Sequence, residues 1–123
     1  MIREAGMSHR IFKMAVAQVY PLYLAKLERK GRTRAELDEV MCWQTGHDAA
    51  SLAETVGQDV DFETFFATAP ALNPEREKVT GMICGIRVEE IADPLMREIR
   101  IMDKLVDDLA KGRPMAKVLR RTG

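Results

Sequence analysis

The stretch Asp93 to Gly112, DPLMREIRIMDKLVDDLAKG, decides the fold class. Leu95, Ile99, Met102, Val106 and Leu109 recur at spacings of four, three, four and three, the rhythm of one face of an α-helix. Ile101 and Leu105 widen that face. Asp93 before Pro94 is a helix cap followed by a first-turn proline, and Gly112 marks the stop. The stretch therefore predicts a long helix from Pro94 to about Lys111, buried along one side and serving as the spine of an all-α fold.

The same signals recur on both sides. Phe12, Val16, Tyr20, Tyr23 and Leu27 form another apolar helical stripe, ended by Gly31 after Lys26, Arg29 and Lys30. Pro21 inside it predicts a kink, or a turn followed by a helix that starts at Pro21. Thr33-x-x-Glu36 is a capping box that opens a second helix, with Leu37, Val40 and Met41 on its inner face and Gly46 at its end. Asp48 caps a short helix through about Val56, and Asp61 caps another from Phe62 to Ala69, before Pro70. Asn73-Pro74-Glu75 predicts a helix start, with the helix running to Cys84. Val88 to Ile91 forms one turn, and the brief alternation Ile86-Arg87-Val88 reads as loop or turn. Pro114 restarts a short amphipathic helix through Met115, Val118 and Leu119. The expectation is a compact single-domain bundle of about six or seven helices, with a helix-turn-helix-like corner near residues 33–56. Residues 9–121 form the domain, residues 1–8 a flexible N-terminus, and Met1 or Met7 serves as the start.

The chain has 123 residues, enough for one hydrophobic core without disulfides or metals. With 46% hydrophobic and 31% charged residues it reads as globular rather than disordered. The formal net charge is zero, so the molecule as a whole offers no field to gather nucleic acid or anionic membrane. Charge is nevertheless segregated: residues 35–75 hold nine acids and no Lys or Arg, while residues 1–34 hold eight bases and two acids. Such blocks are commonly solvated faces, or else the two halves of a contact between copies. Cys42 and Cys84 are far apart with no CxxC spacing, and the N-terminus has no apolar signal core. No apolar run is long enough to span a bilayer. A cytoplasmic protein with reduced thiols is expected.

The octet Met41 to Asp48, MCWQTGHD, gathers a cysteine, the single tryptophan and a histidine. The helix after its glycine turn offers Asp48, Ser51, Glu54 and Thr55, which would repel phosphates rather than read bases, so no DNA partner is expected. His9, His47, Cys42 and Cys84 do not supply four zinc ligands at a recognisable spacing, and Asp59-Val-Asp61-Phe-Glu63 lacks the glycine and glutamate of a calcium loop. A thiolate–imidazolium pair of Cys42 or Cys84 with His47 requires the fold to bring them together; a small residue on a helix face more often packs. Cys42 therefore reads as packing, and Thr45 to Asp48 as a helix stop followed by a cap; Trp43, one residue off the Leu37, Val40 and Met41 face, either packs against another element or lines a surface groove. The basic tail Lys111 to Arg121 has five Lys or Arg and no acid; it reads either as a docking helix or as a helix whose apolar face closes the core.

Several motifs occur in order along the chain. They include Val19-Tyr20-Pro21-Leu22-Tyr23, Lys30-Gly31-Arg32-Thr33, Cys42-Trp43 with Thr45-Gly46, Phe62-Glu63-x-Phe65-Phe66, Asn73-Pro74, Ile83-Cys84-Gly85-x-Arg87-Val88-Glu89, Asp93-Pro94-Leu95-Met96 and Asp103-Lys104-Leu105. Together they resemble the small bacterial family catalogued as "domain of unknown function 2200", from His9 to Arg121. The resemblance implies a compact helical fold and carries over no catalytic residue. His47 departs from the aromatic, such as Tyr, that the family pattern suggests.

The expected function is a small cytoplasmic binding or protein-interaction module without catalysis, cofactor or metal, which pairs as a homodimer or with another protein and not with membrane. The alternative is an enzyme or small-ligand binder with a cleft between helices. Its candidate lining is Tyr20, Tyr23, Trp43, Arg87, Arg100 and Asp103. Nucleic-acid binding ranks last.

Overall fold

The computed structural model describes residues 11–120. The N-terminus 1–8, the Met7 start, His9 and Arg121 lie outside the described residues.

The Pro94 stretch forms α5 (Pro94–Ala110), numbered after the four α-helices that precede it in the chain. Asp93 Oδ1 accepts from the Met96 amide at 3.0 Å, and Pro94 fills the first turn, where no donor is needed. Its stripe faces the core: Ile99, Ile101, Met102, Leu105, Val106 and Leu109 are buried, and Leu95 packs partly buried against them. Helix α5 touches α1 (Val16–Arg29), α2 (Arg34–Thr45), α4 (Phe62–Ala67) and α6 (Met115–Val118). It is therefore the spine of an all-α domain.

Each cap read in the sequence is formed. Thr33 Oγ1 accepts from the Glu36 amide at 3.2 Å while Glu36 accepts from the Thr33 amide at 3.1 Å. Asp48 opens α3 (Ala49–Gly57) by accepting from the Ser51 amide at 2.8 Å, and Asp61 opens α4 by accepting from the Thr64 amide at 2.7 Å. The four N-terminal amides of a helix have no partner within it, and such caps each stabilise by about 1 kcal/mol.

Of the two readings of Pro21, the helix restart is set aside: α1 runs from Val16 to Arg29 with Pro21 inside it. Pro21 lacks an N–H and leaves one carbonyl of the preceding turn without its bond. The start of α1 is joined to the α4 entry by Val16 N donating to Val60 O at 2.8 Å and Phe62 N donating to Met14 O at 3.1 Å. Two further expectations are corrected. The helix expected from Pro74 to Cys84 is only a 3-10 turn, Pro74–Lys78. The chain beyond it forms a hairpin of β1 (Met82–Ile83) and β2 (Ile86–Arg87), antiparallel, with Ile83 opposite Ile86. Cys84 and Gly85 both have positive φ, 51° and 80°, which is the two-residue turn whose twist suits a hairpin. Ile86-Arg87 is thus a strand rather than a loop, while Val88–Glu90 is the expected single turn, of 3-10 type.

The α2–α3 corner turns on Gly46, at φ 83°. A Cβ there would lie 2.6 Å from the Ala71 carbonyl oxygen. Gly46 is therefore required twice, for its backbone conformation and for the passage of the 69–73 segment, whose Ala71 amide donates to Thr45 O at 3.0 Å.

Candidate functional site

Three of the six candidate cleft residues meet. Helix α1 carries Tyr23 and α5 carries Asp103 and Arg100, one turn apart. The Tyr23 hydroxyl donates to Asp103 Oδ1, and Arg100 Nη1 donates to Asp103 Oδ2 at 2.8 Å. Burial, then the Asp103 carboxylate, hold the Tyr23 phenol well above its ordinary pKa, so it stays a protonated donor. Arg100 also reaches Cys84 Sγ at 3.8 Å. The cluster ties α1 to α5 through the Asp103 carboxylate.

The other three lie apart from it. Tyr20 donates to Asp38 Oδ1 on α2 at 2.5 Å, with the Arg34 guanidinium 5.9 Å from its ring centre. Trp43 is half-buried against the core. Arg87 is exposed on the hairpin, 3.8 Å from Glu89.

The octet is a structural corner. Burial pushes the Cys42 thiol pKa up, with Asp38 and Asp48 adding to it, so the thiolate is disfavoured. Neither cysteine is joined to His47 among the described residues. His47 stacks on Phe65, 5.8 Å between ring centres, and its Nδ1 is 2.9 Å from Ser51 Oγ. Burial pushes the His47 pKa down, so the ring is neutral. The i,i+4 spacing of His47 and Ser51 was a legible signal that sequence reasoning passed over. Ser51 Oγ also accepts from the Asp48 amide at 3.1 Å, so the same hydroxyl serves the helix cap.

The strongest charge constellation was not among the sequence candidates. Asp108 on α5 is 2% exposed and is approached by three cations. Arg120 Nη1 donates to its Oδ2 at 2.8 Å. Lys104 Nζ stands 3.2 Å and Arg113 Nε 3.7 Å from Oδ1, ion pairs without hydrogen-bond alignment, so Oδ1 has charge beside it but no donor. Lys104 is 10% and Arg120 19% exposed, so neither is freely solvated. Lys78, Thr80 and Lys117 complete the rim of a recess of about 540 Å³. Arg120 takes φ 56°, unusual outside glycine, and its guanidinium also donates to Val118 O at 2.7 Å. The apolar side of α6 closes the core through Val118 and the following Leu119, as one reading of the basic tail required, and that seating aims the bases at Asp108. The signal available in the sequence was the acid-free tail itself. Lys78 and Lys104 come from distant elements and could not be joined to it.

Among the described residues, no three His, Cys, Asp or Glu side chains converge to hold a metal, and no helix is long and apolar enough to cross a membrane.

A family model described as "Uncharacterized protein conserved in bacteria (DUF2200)" matches residues 10–120. The chain belongs to this family. Its DUF2200 fold is similar to a solved structure titled "Crystal structure of uncharacterized protein SP1917", with TM-score 0.85 and 45% identity over 91% of this chain and 92% of that one. No curated protein sequence matches. The description of DUF2200 names no activity, so the site must be argued from its own chemistry.

Proposed function

We propose that this chain is a non-catalytic binding module that seats a multiply charged anion in the recess over Asp108. The observation that carries this is three cations on one buried carboxylate. Buried charge is costly unless balanced, and an anion entering from solvent would complete the balance. Lys117 adds a further rim cation with no ion pair among the described residues, while Lys78 is partly neutralised by Glu75 at 2.6 Å. The lining offers no aromatic ring for stacking a base, so a phosphate-type group fits better than a nucleic-acid strand. A non-catalytic reading fits Cys42, whose thiol is held protonated by burial, and the two tyrosine phenols, which are held as hydrogen-bond donors to carboxylates. The setting that fits two unbridged thiols is the bacterial cytoplasm.

Inorganic pyrophosphate should raise the melting temperature of the native chain. Saturation at about 100 times Kd adds about 2.7 kcal/mol, several degrees for a domain of this size. An Arg113→Ala/Lys117→Ala variant should lose that rise while melting normally without ligand. An equal rise in both proteins would remove the recess as the site.

Charge segregation favours one protein partner, a second copy. The acidic run 35–75 of one copy complements the recess of another. Light scattering in low and high salt tests this; a monomer at both would remove it.

A further inference from the structure

A second pocket shares no residue with the recess. Tyr20 on α1, Arg34 and Asp38 on α2, and Leu52, Ala53 and Val56 on α3 enclose about 230 Å³. That is room for about seven water molecules at ~30 Å³ each. Arg34 and Asp38 are four residues apart on one helix face, where opposite charges ordinarily pair. They form no ion pair with each other or with any other described residue. Each turns to Tyr20 instead: Asp38 Oδ1 accepts from its hydroxyl at 2.5 Å, and the Arg34 guanidinium stands 5.9 Å from its ring centre. Tyr20 thus keeps a cation and an anion adjacent but unpaired at the mouth of an apolar pocket. Burial, then Asp38, hold the Tyr20 phenol well above its ordinary pKa, so it remains the donor that fixes the carboxylate.

We propose that this pocket binds a free α-amino acid with a small aliphatic side chain. The ligand carboxylate lies on Arg34, its ammonium on the unbonded oxygen of Asp38, and its side chain against Leu52, Ala53 and Val56. A ligand with one charge would satisfy one of the two residues and face like charge at the other. The apolar wall from α3 offers no polar side chain to a longer hydrophilic group.

Isothermal titration calorimetry of the full chain with L-leucine and L-valine tests this. One-to-one binding is expected for at least one of them. Isovalerate and isoamylamine, which each lack one charge, should bind at least tenfold more weakly. Asp38→Asn, which keeps an acceptor for Tyr20, should weaken binding tenfold or more with an unchanged melting curve. Ala53→Phe should abolish it by filling the pocket from an exposed helix position. No heat from either amino acid up to about 10 mM, a concentration well beyond millimolar affinity, would overturn the proposal. So would equal binding of either single-charge analogue, or unchanged binding by folded Asp38→Asn.

Discussion

Arg120 Nη1 donates to Asp108 Oδ2 at 2.8 Å, joining the end of the chain's last short helix to the buried flank of its longest one. With Lys104 and Arg113 beside the other oxygen, Asp108 is the single acid in a cationic recess. Loss of that carboxylate strands charges held largely out of water. Asp108→Asn should therefore cost about 3–5 kcal/mol, the range for breaking a buried pair. Urea denaturation measures it. Added sulfate or phosphate should restore part of the loss by supplying the missing anion. A loss under about 1 kcal/mol would show that the cations are already well solvated.

Glu98 is the second buried carboxylate on α5. Arg76 Nε donates to both its oxygens, at 3.0 and 2.8 Å, and Gln44 Nε2 donates to Oε1 at 3.1 Å. Arg76→Ala leaves Glu98 with an amide donor but no cation. A loss of about 2–3 kcal/mol is expected, somewhat below a fully buried pair because both side chains retain some exposure. Gln44→Leu should cost less, since the Arg76 pair survives. The reverse order in chemical denaturation would show that the amide, not the guanidinium, holds Glu98.

Gly46 and Gly31 separate two costs. Both have positive φ, but a Cβ on Gly31 meets nothing within 4 Å, whereas one on Gly46 meets the Ala71 backbone at 2.6 Å. Gly31→Ala should cost about 1–2 kcal/mol, the left-handed backbone penalty alone. Gly46→Ala should exceed it by at least about 1 kcal/mol, because the 69–73 segment must move. Equal losses in thermal melts would mean that this segment yields freely.

His47 gives the domain a pH dependence. Burial holds its folded-state pKa below the ordinary 6.5, with Asp48 opposing weakly. Between the two values the unfolded chain takes up the proton more readily, so stability is full above pH 6.5 and falls as pH drops through the lower, folded pKa. His47→Phe keeps the stack on Phe65 and removes the titration. The urea midpoint should fall less between pH 7.5 and pH 5.5 in the variant than in the parent chain. An equal fall would assign the acid sensitivity to the carboxylates.

Local chemistry made much of this fold legible. Thr33, Asp48, Asp61 and Asp93 each sit within three residues of the amide they cap, so their roles could be read in one dimension. Pro21 left two readings open because its cost is local, while the bonds that tie Met14 and Val16 to Phe62 and Val60 come from across the fold. The hairpin misled because its strands are two residues each, too short for an alternating pattern, and Asn73-Pro74 starts a 3-10 turn as readily as an α-helix. Tyr23, Arg100 and Asp103 were read as cleft residues from their types, and three-dimensional contact joins them to one another. The Lys104–Asp108 pair, four residues apart on one helix, was legible, but the recess was not, because Lys78, Arg113 and Arg120 reach it from other parts of the chain.

The most direct measurement is a titration of the isotopically labelled chain with inorganic pyrophosphate, followed by backbone amide NMR shifts. The expected result is saturable shifts confined to residues 78–80, 104–108 and 113–120, all lost in Arg113→Ala/Lys117→Ala. No shifts, or shifts scattered over the basic residues 26–34, would contradict an anion site over Asp108.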